Sequence, residues 1–140
     1  MKLIIDANIL FASLIKESST RKIILDENFS FYVPKFLIEE FLEHIEELEE
    51  KIGINKRVLK RKIKELLRLA NIIIIEKEEL EDFLQKAEKV SPDPEDTMYF
   101  ALALKLNCSI WSNDTKLKEQ KKIKIYSTKE LIKEFTIKIK

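Results

Sequence analysis

A chain of 140 residues, 45% of them hydrophobic, is long enough to fold as one domain with its own core. Lys plus Arg at 26 against Asp plus Glu at 25 gives a net charge of +1, so no global field points to nucleic acid or membrane. One Cys (Cys108), one His (His44) and one Gly (Gly53) exclude a Cys/His zinc site, a disulfide within the chain, a Gly-rich phosphate loop and a dinucleotide fingerprint.

Other classes fall away as quickly. A Ser-His-Asp triad would have to use His44, and no nucleophile-elbow pattern is present. No apolar run is long enough to span a membrane, and the first residues lack a signal-peptide layout. A reducing, cytoplasmic setting is therefore expected. The 36% charged content, rich in Lys and Glu, resembles that of proteins tuned for high temperature and does not reveal activity. Acid and metal chemistry remain.

Lys2–Ile5 reads as a buried strand leading into Asp6, and Ala7–Lys16 as a helix with Ile9, Leu10 and Leu14 inward. Ser18, Ser19 and Thr20 are cap residues for a brief helix over Arg21–Leu25. Phe29–Val33 reads as a second strand, after which Pro34 opens one long helix ending near Gly53. Asn55 caps a helix over Lys56–Leu69, with Val58, Leu59, Ile63, Leu66 and Leu67 inward. The unbroken β-branched run Ile72–Ile75 predicts a third strand buried on both faces.

Leu80–Lys89 is helical by pattern. The stretch SPDPEDTMYFALALKLN begins as a Pro-rich loop and becomes an almost wholly apolar helix to Leu106, stopped at Asn107. Ser109–Ser112 and Ile123–Tyr126 read as strands four and five, and Thr128 caps a last helix to about Phe135. The tail TIKIK alternates, as an edge strand or a fraying end does. Strand–helix alternation of this kind predicts an α/β fold with right-handed crossovers and a parallel sheet covered on both faces. Ligands of such sheets sit outside the carboxyl ends of the strands. No linker or repeat divides the chain, so residues 1–140 are expected to form one domain.

Four acidic positions lie where that crevice should be. Asp6 ends strand one, Asp114 ends strand four, and Asp96 sits in the first turn of the apolar helix. The fourth comes from PKFLIEEFLEHIEELEEKI, whose apolar stripe runs through Leu37, Phe41, Ile45, Leu48 and Ile52. Glu40 borders that stripe between Phe36 and His44, while Glu39 and Glu43 point to the far side; this favours Glu40 without excluding Glu39. A plainer reading stands beside each. Asp6 and Asp114 are also placed to cap helices, as is Asp93, with Pro94 the first helical residue and Asp96 the third.

If the four converge, their repulsion must be relieved. Two carboxylates about 5 Å apart repel by roughly 3 kcal/mol at an effective dielectric near 20, and several such pairs rival a domain stability of about 5–15 kcal/mol. A hard divalent cation relieves this with every group ionised, and oxygen donors without His or Cys select Mg²⁺ or Mn²⁺. Such a centre suits metal-assisted hydrolysis of a phosphodiester.

IIDANIL, IEEFLEH, PEDTMYFALAL and IWSNDTKL, in that order and spacing, resemble the acidic motifs of PIN-domain ribonucleases, a group that includes the VapC-type toxins of toxin–antitoxin pairs. The resemblance spans nearly the whole chain. It implies a three-layer α/β/α sandwich with a five-stranded parallel sheet. It also implies that Asp6, Asp96 and Asp114 hold Mg²⁺ or Mn²⁺, directly or through water, and that Glu40 orients or deprotonates the attacking water or binds a second ion. Asn8 matches a polar residue supporting the first Asp, and Ser112 a hydroxyl beside the last. Glu39 stands next to Glu40 and Asp93 near Asp96 as alternatives in register. The family further implies cleavage to a 5′-phosphate and a 3′-hydroxyl, an antitoxin protein as partner, and a homodimer.

Two basic stretches offer themselves to RNA. Lys56, Lys60 and Lys64 repeat every fourth residue with Arg57 and Arg61 alongside, and KLKEQKKIK follows Asp114. Runs like the first are ordinarily solvated faces, so the second, beside the crevice, is favoured, with Lys116 and Lys118 as its contacts. Trp111 and His44 read as structural residues. An aspartyl phosphatase wants a second Asp where Asn8 stands, and a signalling receiver wants an acidic pair that is missing. A non-catalytic RNA- or protein-binding domain, or an RNA-processing nuclease without an antitoxin, stays open, since fold does not fix function.

Overall fold

A computed structural model describes residues 1–15 and 19–135, apart from the side chains of Ile15, Leu48 and Ile52. The cap expected of Ser18, the last residue of the first helix at Lys16, and the tail at 136–140 lie outside the described residues, as do Leu48 and Ile52 as members of the apolar stripe. Five strands, β1 (Lys2–Ile5), β2 (Ser30–Pro34), β3 (Ile72–Ile75), β4 (Ser109–Trp111) and β5 (Ile125–Tyr126), form one all-parallel sheet in the order β3-β2-β1-β4-β5. β1 is central, and Leu3, Ile4 and Ile5 are fully buried.

This order places a topological switch point between β1 and β4. The chain builds outward from β1 through β2 to β3, then returns to start again on the other side with β4 and β5. The crossovers therefore diverge at the carboxyl ends of β1 and β4, which opens a crevice there. Register sets what lines it. Ile5 is level with Trp111, so Asp6 and Ser112 are the next residues up on neighbouring strands.

Helices cover the sheet. α1 (Ala7–Ile15) is followed by α2 (Ser19–Ile24), and both α2 and α5 (Lys56–Leu69) pack against α1. α6 (Leu84–Val90) leads to α7 (Thr97–Leu106), which lies across β1, β2 and β4. Tyr99, Phe100, Ala101, Leu102 and Ala103 are consecutive and all buried, so α7 is enclosed nearly all round and needs no polar face. Asn107, at φ 50, and Gly53, at φ 69, end their helices in the left-handed conformation, as their positions predicted. Asn55 caps α5 by accepting the Arg57 N–H at 2.8 Å.

Three local expectations are corrected. The long helix after Pro34 is two, α3 (Lys35–Glu43) and α4 (Ile45–Ile52), separated by a slack turn at His44 with φ −97 and ψ 13. Buried Leu37, Phe41 and Ile45 recur at intervals of four, which on a 3.6-residue helix drifts by roughly 40° per step; the break at His44 takes up that drift. β3 is not buried on both faces. It is an edge strand paired only with β2, and Ile73 and Ile74 are 38% and 40% exposed. α8 (Thr128–Glu134) is capped by Ser127, whose hydroxyl accepts the Glu130 N–H at 3.2 Å, and not by Thr128. The Thr128 hydroxyl instead accepts from Trp111 Nε1 and Asn113 Nδ2, both at 3.0 Å, which ties the end of β4 to α8.

Candidate functional site

Asp6 is held from two directions. Its Oδ1 accepts the Ile9 N–H at 2.9 Å, so it does cap α1. Its Oδ2 accepts from the Ser112 hydroxyl, and Ser112 in turn accepts the Asp114 N–H at 3.1 Å. The strand register thus becomes a chain of contacts joining the ends of β1 and β4. Asp6 is 7% exposed and Ser112 1%. Burial raises the Asp6 carboxyl above its usual range against the lowering by these hydrogen bonds, and the charge of Asp114 raises it further.

The two aspartates of SPDPED part company. Asp93 has committed both oxygens: Oδ1 accepts the Glu95 N–H at 2.9 Å, and Oδ2 holds Lys116 Nζ at 3.1 Å. These contacts lower its pKa, the backbone bond most of all. Asp96 precedes α7 without a side-chain capping bond. Desolvation, then the charges of Asp93, Asp114, Asp6 and Glu95, push its carboxyl up to about 6. A half-buried acid without a cap partner, surrounded by other acids, is an arrangement in want of a cation. Asp114 caps the 3₁₀ turn Thr115–Glu119 by accepting the Lys116 N–H at 3.0 Å through Oδ1.

Glu40 and Asn8 lie in a neighbouring groove whose lining includes none of Asp6, Asp96 and Asp114. Both line a groove of about 400 Å³ between α1 and the α3–α4 pair, with Phe11, Phe41 and His44 in its wall and Lys51 beyond. Glu39 and Glu40 are both exposed, so Glu40 does not turn into the core as its place beside the apolar stripe predicted; only Glu40 of the two lines the groove. His44 Nδ1 lies 3.5 Å from Glu47 Oε1. Lys116 and Lys118, expected to meet RNA, are engaged by Asp93 and Glu130 respectively.

Tyr99 was not anticipated. Its hydroxyl accepts the Ala7 N–H at 3.2 Å and so joins α7 to the start of α1. Burial, with the charges of Asp6, Asp96 and Glu40, holds the phenol above its usual pKa and keeps it neutral. The signal was present: a hydroxyl-bearing aromatic three residues after Asp96 in an otherwise apolar run.

Asp6 and Asp114 are thus linked through Ser112 at the carboxyl ends of β1 and β4, and the charges of both help to raise the Asp96 carboxyl. Among the described residues, however, no three His, Cys, Asp or Glu side chains are close enough to hold one metal ion between them. The donors are all oxygen, and Asp96 lacks a capping partner. That set fits a small hard cation that keeps several of its waters, and does not fit a cation needing a cage of protein ligands.

Fold and site together define an α/β domain with an acidic crevice at the switch point of its sheet. The sequence matches the PIN domain family over residues 4–135, and the chain belongs to that family, whose members are generally nucleases. Among solved structures it is similar to VapBC2 from Rickettsia felis, crystallised bound to a DNA fragment from its promoter: 14% identity, 91% of this chain and 98% of that chain covered, TM-score 0.65. No curated protein matches the sequence. Among the described residues no helix is long and apolar enough to cross a membrane.

Proposed function

We propose that the chain is a Mg²⁺- or Mn²⁺-dependent ribonuclease with Asp6, Asp96, Asp114 and Glu40 at its centre. The observation that carries the reading is the contact chain from Asp6 through Ser112 to Asp114 at the carboxyl ends of β1 and β4, with Asp96 at the start of α7 making no side-chain capping bond. The bound cation supplies charge neutralisation at the phosphate and a more acidic water at neutral pH. Asp6, fixed by Ser112 and the Ile9 N–H, presents a carboxylate whose direction does not depend on the ligand. Asp96 offers oxygens free of any capping role, and Asp114 keeps Oδ2 for the crevice while Oδ1 caps.

Glu40, on the groove side, orients the attacking water and accepts its proton; the new P–O bond forms as the P–O3′ bond breaks, and the 3′ oxygen leaves with a proton from solvent, so that the products carry a 5′-phosphate and a 3′-hydroxyl. Asn8, on the same wall, steadies the approach to Asp6. Asp93 is assigned to the loop and to Lys116, not to the cation. The likeness of fold to VapBC2 supports an antitoxin protein as partner; a homodimer in the cytoplasm belongs to the same proposal and rests on the family resemblance. An RNA-processing nuclease on the same site is distinguished by the lack of a small neighbouring gene whose product suppresses activity.

Cleavage of single-stranded RNA is the direct test. With Mg²⁺ or Mn²⁺ present, 5′-phosphorylated fragments are expected, and EDTA is expected to abolish them. RNA binding without cleavage in either metal would assign the domain to recognition alone.

A further inference from the structure

We infer that the outer face of α5 binds the sugar–phosphate backbone of RNA outside the active site, an inference that rests on the ribonuclease reading above. α5 carries seven basic residues and one acidic, Glu65, a net charge of +6 in a chain whose total is +1. The preceding helix, α4, carries four Glu and one Lys. Charge is therefore segregated between neighbouring helices and not interleaved along each.

The basic residues form a line. Leu59, Ile63 and Leu66 face the core. Arg57, Arg61, Lys64 and Arg68 are exposed and are spaced by four, three and four residues. At 3.6 residues per turn they fall within a sector of roughly 60° and extend over about 16 Å, one cation per turn. Among the described residues none of the four forms an ion pair, whereas Lys56 at the helix start is bonded to Glu46 at 3.1 Å. Like charges three and four residues apart destabilise a helix by a few tenths of a kcal/mol per pair. A polyanion laid along the stripe removes that repulsion and releases counterions.

The rival basic stretch is largely occupied. Of its five lysines, Lys116 and Lys118 are paired with acids, Lys121 Nζ lies 3.4 Å from the Lys118 carbonyl, and Lys124 lies over the Tyr126 ring at 5.1 Å. The crevice itself is acidic and repels phosphates flanking the one to be cut. Affinity for RNA must come from cations elsewhere, and α5 packs against α1 and α4, two of the helices that wall the groove. Lys51 lines that groove with Glu40, and only residues 53–55 separate α4 from α5.

The test replaces Arg57, Arg61, Lys64 and Arg68 with Gln, in the active protein and in an Asp6→Asn background. In the Asp6→Asn background, binding of a labelled single strand of about 20 nucleotides is measured in EDTA across a range of KCl. The slope of log affinity against log salt is expected to become shallower by about 3, four contacts at about 0.7 each. In the active protein, kcat/KM for the long strand is expected to fall while that for a trinucleotide, too short to leave the crevice, is unchanged. If the fourfold variant does not fold, the pair Arg57→Gln/Arg61→Gln should reduce the slope by about 1.4. An unchanged slope overturns the inference and leaves the stripe to an acidic protein surface, with cleavage by the parent keeping the ribonuclease reading intact. A parent that neither cleaves nor binds RNA overturns both.

Discussion

Replacing Asp6 with Asn is expected to lower metal-dependent RNA cleavage by roughly 10²–10³-fold, the scale for removing one preorganised charged group at a reaction centre, with no loss of thermal stability. The two halves of this expectation have one cause. Asp6 is a buried carboxylate whose charge is opposed by desolvation and by Asp114. Asn has a similar shape, its carbonyl still accepts the Ile9 N–H, and Asn caps helices as well as Asp does. Its amide donates to the Ser112 hydroxyl in place of the bond now made in the other direction. The substitution removes repulsion that the fold tolerates and removes the charge that the chemistry needs, a trade seen where sites are strained for function. Kinetics on single-stranded RNA, beside a calorimetric melting curve, checks both. Activity retained with Asn at position 6 would remove this residue from the reaction.

The second large effect is a fall in stability between about pH 4 and pH 6 in metal-free protein, reversed by adding Mg²⁺ or Mn²⁺. Asp96 titrates near 3.8 when unfolded and at about 6 when folded. Between those values the folded state holds the extra proton, so raising the pH through the window weakens the fold. Asp6, also raised, acts in the same direction. After allowance for screening at a half-exposed site the Asp96 share is about 1 kcal/mol.

Carboxylates with lowered values work oppositely and at lower pH. Asp93, and Glu130 at about 2, stabilise the fold above their unfolded pKa and cease to do so as acid is added. Maximal metal-free stability is thus expected near pH 4. At neutral pH a cation at a hundred times its Kd restores about 2.7 kcal/mol. Thermal melts from pH 4 to 7, with EDTA and with Mn²⁺, provide the check. Asp96→Asn should flatten the decline, and an Mn²⁺-independent melting curve at pH 7 would contradict a cation-relieved site.

Much of this architecture was legible in the residues because local rules act over short distances. Asp6 and Asp114 follow apolar strands, Asn107 and Gly53 stop helices, and Asn55 begins one. Strand order was not legible. It depends on β1 pairing with β4 across more than a hundred residues, and nothing in either segment specifies its neighbour. The same gap hid the link from Ser112 to Asp6, since the family resemblance placed Ser112 only beside Asp114.

Exposure of β3 escaped for a related reason. Four isoleucines signal a strand and do not reveal that it lies at an edge. Asp93 and Asp96 could not be separated by spacing, because both suit the first turn. They separate only when Lys116, from beyond β4, reaches Asp93, while Asp96 makes no side-chain capping bond. The basic stripe of α5 was visible as a run of charges. Its significance depended on which other lysines already had partners, which only three dimensions supply.

Diffraction from crystals soaked in Mn²⁺, read at the manganese absorption edge, bears most directly on whether these acids share a cation. An anomalous peak in the crevice at the carboxyl ends of β1 and β4, within direct or single-water reach of Asp6, Asp96 and Asp114 and lost with Asp6→Asn, is the expected result. Full occupancy elsewhere on the molecule, or an empty crevice at saturating Mn²⁺, would contradict it.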